Sequence, residues 1–120
     1  MSGFGSALRM LASRVPEAHA VMIIGSDGIP VEKVVVRPQA NLEAVAAELT
    51  TLVRGSLAVA SDTGLGELQE LTLVSESMVA VIRAITPQYF VFVALAPGAL
   101  VGRARLALRV ACLGLASEFA

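Results

Sequence analysis

The chain has 120 residues, of which 56% are hydrophobic and 16% are charged, and its formal net charge is −1. This charge balance, with four Phe, one Tyr and no Trp, argues against recognition of nucleic acid or of an anionic membrane surface. Soluble domains usually have about 25% charged residues. The low charged fraction therefore predicts apolar surface hidden between subunits, or a small domain whose strands are covered on both faces.

The length predicts a single domain over residues 1–120, large enough to bury a core without disulfides or metals. Cys112 is the only cysteine, so the chain has neither a disulfide framework nor metal-ligand spacing. No apolar run is expected to reach the ~18–20 residues of a membrane span. The N-terminal stretch is too polar for a signal peptide. We therefore expect a cytoplasmic protein without membrane insertion.

Apolar runs and turn residues predict the element order α-β-β-α-β-β-β-α. Pro16 ends a first amphipathic helix, and Ser26-Asp27-Gly28 separates two strands of a hairpin, the second strand lying near the sheet edge. Asn41 is expected to N-cap a long helix that ends near residue 62. The predicted helices are 5–14, 41–61 and 101–120, and the predicted strands are 19–25, 30–37, 65–75, 78–85 and 89–96, the last three forming a meander.

The last predicted strand is apolar at both alternating sets of positions, so both sheet faces must be covered. The long middle helix is expected on one face and the two terminal helices on the other. The predicted fold is therefore α/β in the broad sense (α+β). It is a three-layer αβα sandwich around a five-stranded, mostly antiparallel sheet.

The middle helix has two apolar sides. At about 100° per residue, the bulky residues share one broad face that suits the core. Small residues lie nearly opposite, and we interpret them as a contact surface for a second copy of the helix. The alternative is an alanine-rich solvent face. A mid-helix glycine, which costs about 0.5–1 kcal/mol relative to alanine, favours the interface. This small-residue stripe consists of Ala44, Ala47, Thr51, Gly55 and Ala58.

The element order and several loose motifs resemble the Roadblock/dynein light chain domain, and the resemblance covers essentially the whole chain. It implies a homodimer or heterodimer in which the central helices pack together and the strands after them join into one sheet. The expected interface is Ala44, Ala47, Glu48, Thr51, Gly55, Ala58, Leu71 and Leu73. The matching segments are Val15-Pro16-Glu17, Ala20–Gly25, Asp27-Gly28-Ile29-Pro30, Leu42–Ala60, Glu76-Ser77 and Leu95-Ala96-Pro97 leading to Gly102.

Members of this family act as scaffolds or regulators of small Ras-like GTPases, as in the bacterial Mgl polarity switch and eukaryotic lysosomal scaffolds, or as dynein-associated chains. The resemblance places a GTPase on the dimer surface that carries the paired helices. Glu43, Thr50 and Arg54 are the corresponding candidate contacts. The alternatives are that Arg54 pairs with Glu48 or Asp62 of the second copy, or that these charges are solvated surface residues.

Three apolar residues of the last helix lie away from its core stripe: Leu106, Val110 and Leu113. One interpretation is that they pack against the first helix. The other is that they form a docking site for another Roadblock subunit or for a partner helix.

We find no catalytic constellation, cofactor site or metal site in the sequence. His19 and Cys112 are interpreted as structural residues, and Gly25-Ser26-Asp27-Gly28 as a turn, because no lysine or helix follows it. The leading hypothesis is a non-enzymatic homodimer that binds a small Ras-like GTPase, with stimulation of GTP hydrolysis as a further option. The alternatives are a purely structural adaptor subunit and a sensor domain for an apolar ligand.

Overall fold

A computed structural model describes residues 3–38 and 41–119 of the chain. Its order of helices and strands confirms the predicted α-β-β-α-β-β-β-α. The helices are α1 (Gly3–Arg14), α2 (Leu42–Asp62) and α3 (Val101–Leu115), and α3 continues into a 3-10 turn (Ala116–Phe119). The strands are β1 (Ala18–Gly25), β2 (Pro30–Val35), β3 (Glu70–Val74), β4 (Val79–Thr86) and β5 (Tyr89–Leu95).

The five strands form one sheet in the order β2-β1-β5-β4-β3, and every neighbouring pair is antiparallel. β1 and β5 are central, with Met22 opposite Phe92. β2 and β3 are the edge strands, so the predicted edge position of the second strand is confirmed. β3 pairs only with β4, and its other edge faces away from the described part of the sheet.

Each face of the sheet has its own hydrophobic core, as the apolar pattern of the strands predicted. On one face, Leu49 and Val53 of α2 pack against Phe90 and Phe92 of β5. On the other face, α1 and α3 pack together on the opposite set of strand residues. α2 and the α1–α3 pair are therefore separated by the full thickness of the sheet.

Two predicted boundaries differ from the structure by five residues, and the predicted N-cap of α2 is not formed. The strand predicted from residue 65 begins only at Glu70, since Gly64 and Gly66 have positive φ angles of 72° and 90°, which an extended strand does not contain. The last helix ends at Leu115 rather than at residue 120. Asn41 precedes α2, but its φ of 61° is left-handed and its side chain makes no capping hydrogen bond.

A stack of three aromatic rings, which the sequence reasoning missed, joins the chain ends to the sheet. Phe119 stacks on Phe4 with ring centroids 4.7 Å apart, and on Tyr89 at 4.4 Å. Offset aromatic contacts at this spacing are favourable. The stack ties the start of α1 and the 3-10 turn to the start of β5.

By length and composition alone, α2 could cross a membrane, because an 18-residue window within it has a mean hydropathy of 1.2. The expectation that no segment would reach this length and apolarity is therefore wrong for α2. Most of its buried residues belong to the core cluster on the sheet, as those of a core helix do. Only 28% of the window is buried within the chain, so most of this apolar helix faces outward.

Candidate interaction surface

The outward side of α2 is apolar and open. All five residues of the small-residue stripe are exposed: Ala44, Ala47, Thr51, Gly55 and Ala58. A Cβ placed on Gly55 would meet no atom within 4 Å. Three further exposed residues lie along one side of the stripe: Glu48, Leu52 and Val59. On that side of the helix, Glu48 is the only charged residue between residues 44 and 59. The predicted surface is thus available for contact in the single chain.

The apolar surface continues onto β3. Leu71 pairs with Ile82, and Leu73 pairs with Ala80. Directly opposed residues point to the same face of a sheet, and Ile82 and Ala80 belong to the core beneath α2. Leu71 and Leu73 therefore lie on the α2 side of the sheet, next to its open edge. Sequence reasoning placed both residues in the same expected interface as the stripe.

A network of charged side chains holds β3 at the sheet edge. Arg83 of β4 donates to Glu70 at 3.2 Å, and Arg105 of α3 donates to the other carboxylate oxygen of Glu70. The Glu70 side chain is only 12% exposed, so the carboxylate is poorly solvated and both arginines compensate it. The sequence reasoning did not find this network, because its three members are far apart in the chain.

Cys112 lies on the same side of the sheet as this network. Burial raises the pKa of its thiol to about 11, while the nearby positive charge of Arg83 acts in the opposite direction. The thiol is therefore protonated at neutral pH. This environment supports the interpretation of Cys112 as a core residue, since reactive thiols have lowered pKa values.

The turn between β1 and β2 lies against one flank of α2. Gly28 has a φ of 86°, and the Asp27 carboxylate accepts a hydrogen bond from the Ile29 amide at 3.0 Å, as the Asp-Gly sequence predicted. A Cβ on Gly28 would lie 3.8 Å from the Thr50 hydroxyl and 3.9 Å from the Cα of Ala47. The turn therefore packs on α2 next to the small-residue stripe.

This packing corrects the assignment of Thr50 as a partner contact. Thr50 is only 4% exposed, and its hydroxyl donates to the Ala46 carbonyl at 2.9 Å. The side chain is covered by the turn and satisfied within the helix. Helical periodicity placed Thr50 at the margin of the core, and only the tertiary position of the turn decides that it is buried.

Arg54 and Glu43 remain exposed, but both join α2 to the hairpin. Arg54 donates to the Ser26 carbonyl at 2.7 Å, and Lys33 of β2 lies 3.4 Å from the Glu43 carboxylate. Arg54 is therefore occupied by the turn in this structure, rather than pointing freely toward Glu48 or Asp62 of a second copy. The two residues form a polar flank between α2 and the hairpin.

Leu106, Val110 and Leu113 are not buried against α1, which contradicts the interpretation that they pack there, although Val110 borders a groove beside α1. They are among the large hydrophobic residues that the structure leaves exposed, and Leu113 is 76% exposed. α3 is buried instead through Ala104, Leu108, Cys112 and Leu115. The exposed residues lie on the opposite face of the molecule from α2.

The residues at 3–38 and 41–119 include no group of three or more His, Cys, Asp or Glu side chains that could hold a metal ion. Near α2, the Glu43 carboxylate pairs with the Lys33 ammonium, and the Arg54 guanidinium donates to the Ser26 carbonyl.

A sequence model of the Roadblock/LC7 domain matches residues 7–96, three quarters of the chain. The chain belongs to the Roadblock/LC7 domain family. No curated protein matches it.

Solved structures of Roadblock domains have the same fold. Myxococcus xanthus MglB superimposes with a TM-score of 0.87 at 13% identity, covering 99% of this chain and 96% of that one. The gliding protein MglB of Thermus thermophilus has a TM-score of 0.83 at 18% identity, covering 96% and 88%. MglC of Myxococcus xanthus has a TM-score of 0.71 at 29% identity, covering 94% and 96%.

Proposed function

We propose that this Roadblock domain is a homodimer paired through α2 and β3, and that the dimer binds and regulates a small Ras-like GTPase. The observation that carries the proposal is the outward side of α2, where the small-residue stripe and Leu52 and Val59 are exposed together. Contiguous apolar surface of this kind is uncommon on monomers and marks interaction sites.

The geometry of the surface supports a two-fold arrangement. In an isologous dimer the same patch meets itself, and a stripe of alanine, threonine and glycine permits close approach of two identical helices. The free edge of β3 and the exposed Leu73 extend the surface in the same direction. Pairing across this edge would join two sheets and satisfy the backbone groups that an edge strand leaves open.

The regulatory part of the proposal is supported by family membership and by the likeness to MglB and MglC. One of the solved relatives is described as MglB with a tetrameric arrangement, which is consistent with self-association. The polar flank of Glu43 and Arg54 lies beside the stripe rather than within it. We propose this flank, together with the turn that Arg54 holds, as the part of the dimer surface that contacts the GTPase.

Two measurements test the proposal. Sedimentation analysis should give a mass of about 24.8 kDa, twice the 12.4 kDa of one chain. GTP hydrolysis by a Ras-like GTPase from the same genome should change when the dimer is added. A stable complex without any change in hydrolysis would instead support the alternative of a structural adaptor. A monomer at every concentration would contradict the dimer.

A further inference from the structure

A groove runs between α1 and α3 on the face of the molecule opposite α2. Its volume is about 380 Å³. Small side chains line part of it, and a Cβ on Gly114 would meet no atom within 4 Å. Its walls include Ser6, Ala7 and Met10 on α1 and Ala107, Val110 and Gly114 on α3.

The rim of the groove carries apolar side chains that are exposed to solvent. Met10 stands on the α1 wall and Val110 on the α3 wall, and both are exposed. Leu106 and Leu113 lie on α3 beyond Val110 and are more exposed still. A chain seated in the groove would cover apolar surface on both walls.

Charge is distributed unevenly along the groove. Arg14 lines one end and Glu118 the other. Arg103 precedes Ala107 by four residues and Val110 by seven, and therefore lies on the same side of α3 at the Arg14 end. Although the whole chain has a net charge of −1, the described residues of α1, α3 and the 3-10 turn include a single acidic side chain, that of Glu118.

Two further arginines of these helices are directed elsewhere. Arg105 pairs with Glu70. Arg9 lies on the Gly5 side of α1, where its guanidinium would be 3.4 Å from a Cβ on Gly5, and it donates to the Ser6 hydroxyl at 3.5 Å. A third arginine, Arg109, lies about 100° around α3 from Val110, on the side away from α1. Arg14 and Arg103 are therefore the cations at this end of the groove.

We propose that the α1–α3 groove binds an amphipathic helix of a partner protein, with acidic residues at the end of that helix that meets Arg14 and Arg103. The apolar rim provides contacts at helical spacing, and the two arginines provide charge complementarity that orients the partner. Two copies of this chain placed groove to groove would leave the space between the two concave surfaces empty. A flat membrane surface leaves the groove unfilled in the same way.

This site is separate from the proposed dimer seam, because the sheet lies between them. Its loss should leave dimer formation unchanged. The two proposals can therefore fail independently.

A peptide-display selection tests the proposal. The full chain would be the target, and the library would contain helices of about 20 residues with leucine at i, i+3, i+4 and i+7 and random residues elsewhere. The strongest peptides would then be titrated by fluorescence anisotropy against the wild type, Val110→Glu and Arg103→Glu. Val35→Glu is a matched control, since Val35 is 43% exposed beside the start of α2, on the other face of the sheet, and Val110 is 49% exposed.

We expect the selected peptides to be enriched in Asp and Glu toward one end. Val110→Glu and Arg103→Glu should each weaken binding about tenfold or more, while Val35→Glu should bind as the wild type does. Circular dichroism would confirm that all variants are folded. Selection of no peptide, selection without acidic enrichment, or equal loss in Val35→Glu would overturn the proposal.

Two other occupants are distinguished by parallel measurements. Binding to vesicles of phosphatidylserine and phosphatidylcholine that Val110→Glu abolishes would reassign the groove to a membrane surface. A decrease in sedimenting mass caused by Val110→Glu would reassign it to a second copy. Either result would overturn the partner-helix proposal.

Discussion

Substituting Ala58 by glutamate should separate the proposed dimer. Ala58 is exposed on α2 within the small-residue stripe, so the substitution need not disturb the single chain. Glutamate is a good helix former. In a two-fold dimer each change occurs twice, so two carboxylates would enter one apolar seam.

The size of the effect follows from the cost of burying a polar group. Mutational data give about 1–3 kcal/mol for an uncompensated polar group. Taking about 2 kcal/mol for each copy gives about 4 kcal/mol for the dimer. At 1.4 kcal/mol for each tenfold change, the dissociation constant should rise about a thousandfold.

Analytical ultracentrifugation over a range of protein concentrations measures this change. Ser61→Glu is the control, because Ser61 is exposed near the same end of α2 but lies at its hairpin-side flank. We expect Ala58→Glu to sediment near 12.4 kDa, the mass of one chain, under conditions where Ser61→Glu remains dimeric. An Ala58→Glu variant that stays dimeric, or two variants that dissociate equally, would refute the reasoning.

Three further predictions concern stability. Gly55→Ala should stabilise the monomer by about 0.5–1 kcal/mol, because the new Cβ has open space, and it should stabilise the dimer less. Urea unfolding at low and high protein concentration measures the two effects. An equal gain in both states would exclude close backbone approach at this position. Glu70→Gln should weaken the contacts with Arg83 and Arg105 and lower the free energy of unfolding by about 1–3 kcal/mol. The rate of amide hydrogen exchange should rise first in β3. Unchanged exchange in β3 would show that the network does not hold this strand. The raised pKa of Cys112 means that the folded thiol keeps its proton when the unfolded thiol loses it, so stability should fall as the pH rises from 9 toward about 11. Cys112→Ala should reduce this fall, and an identical pH profile in the variant would contradict the assignment.

Most of the fold could be predicted from the sequence, because alternation and turn residues are local signals. Strand β5 is apolar at every position, which required two covered faces, and the structure has both. The Asp27-Gly28 turn occurs where its residues indicated. The start of β3 was misplaced because Leu65 continues the apolar pattern, whereas the glycines on either side of it have positive φ angles.

The candidate site was less predictable, because its details depend on contacts between distant segments. Periodicity separated the exposed stripe from most of the core side of α2, but it also placed Leu52 on the core side, and that residue is 45% exposed. It could not show that the hairpin turn covers Thr50 or that Arg54 reaches the Ser26 carbonyl 28 residues away. In the same way, it could not show that Leu113 is exposed, because the position of α1 relative to α3 is a tertiary property.

The central claim, a dimer that regulates a Ras-like GTPase, is tested most directly by binding in defined nucleotide states. The wild type and Ala58→Glu would be titrated against the GTPase loaded with a non-hydrolysable GTP analogue, loaded with GDP, or empty. We predict that the wild type distinguishes these states and that Ala58→Glu binds more weakly to the preferred one. Equal binding of the wild type to all three states would contradict the regulatory role.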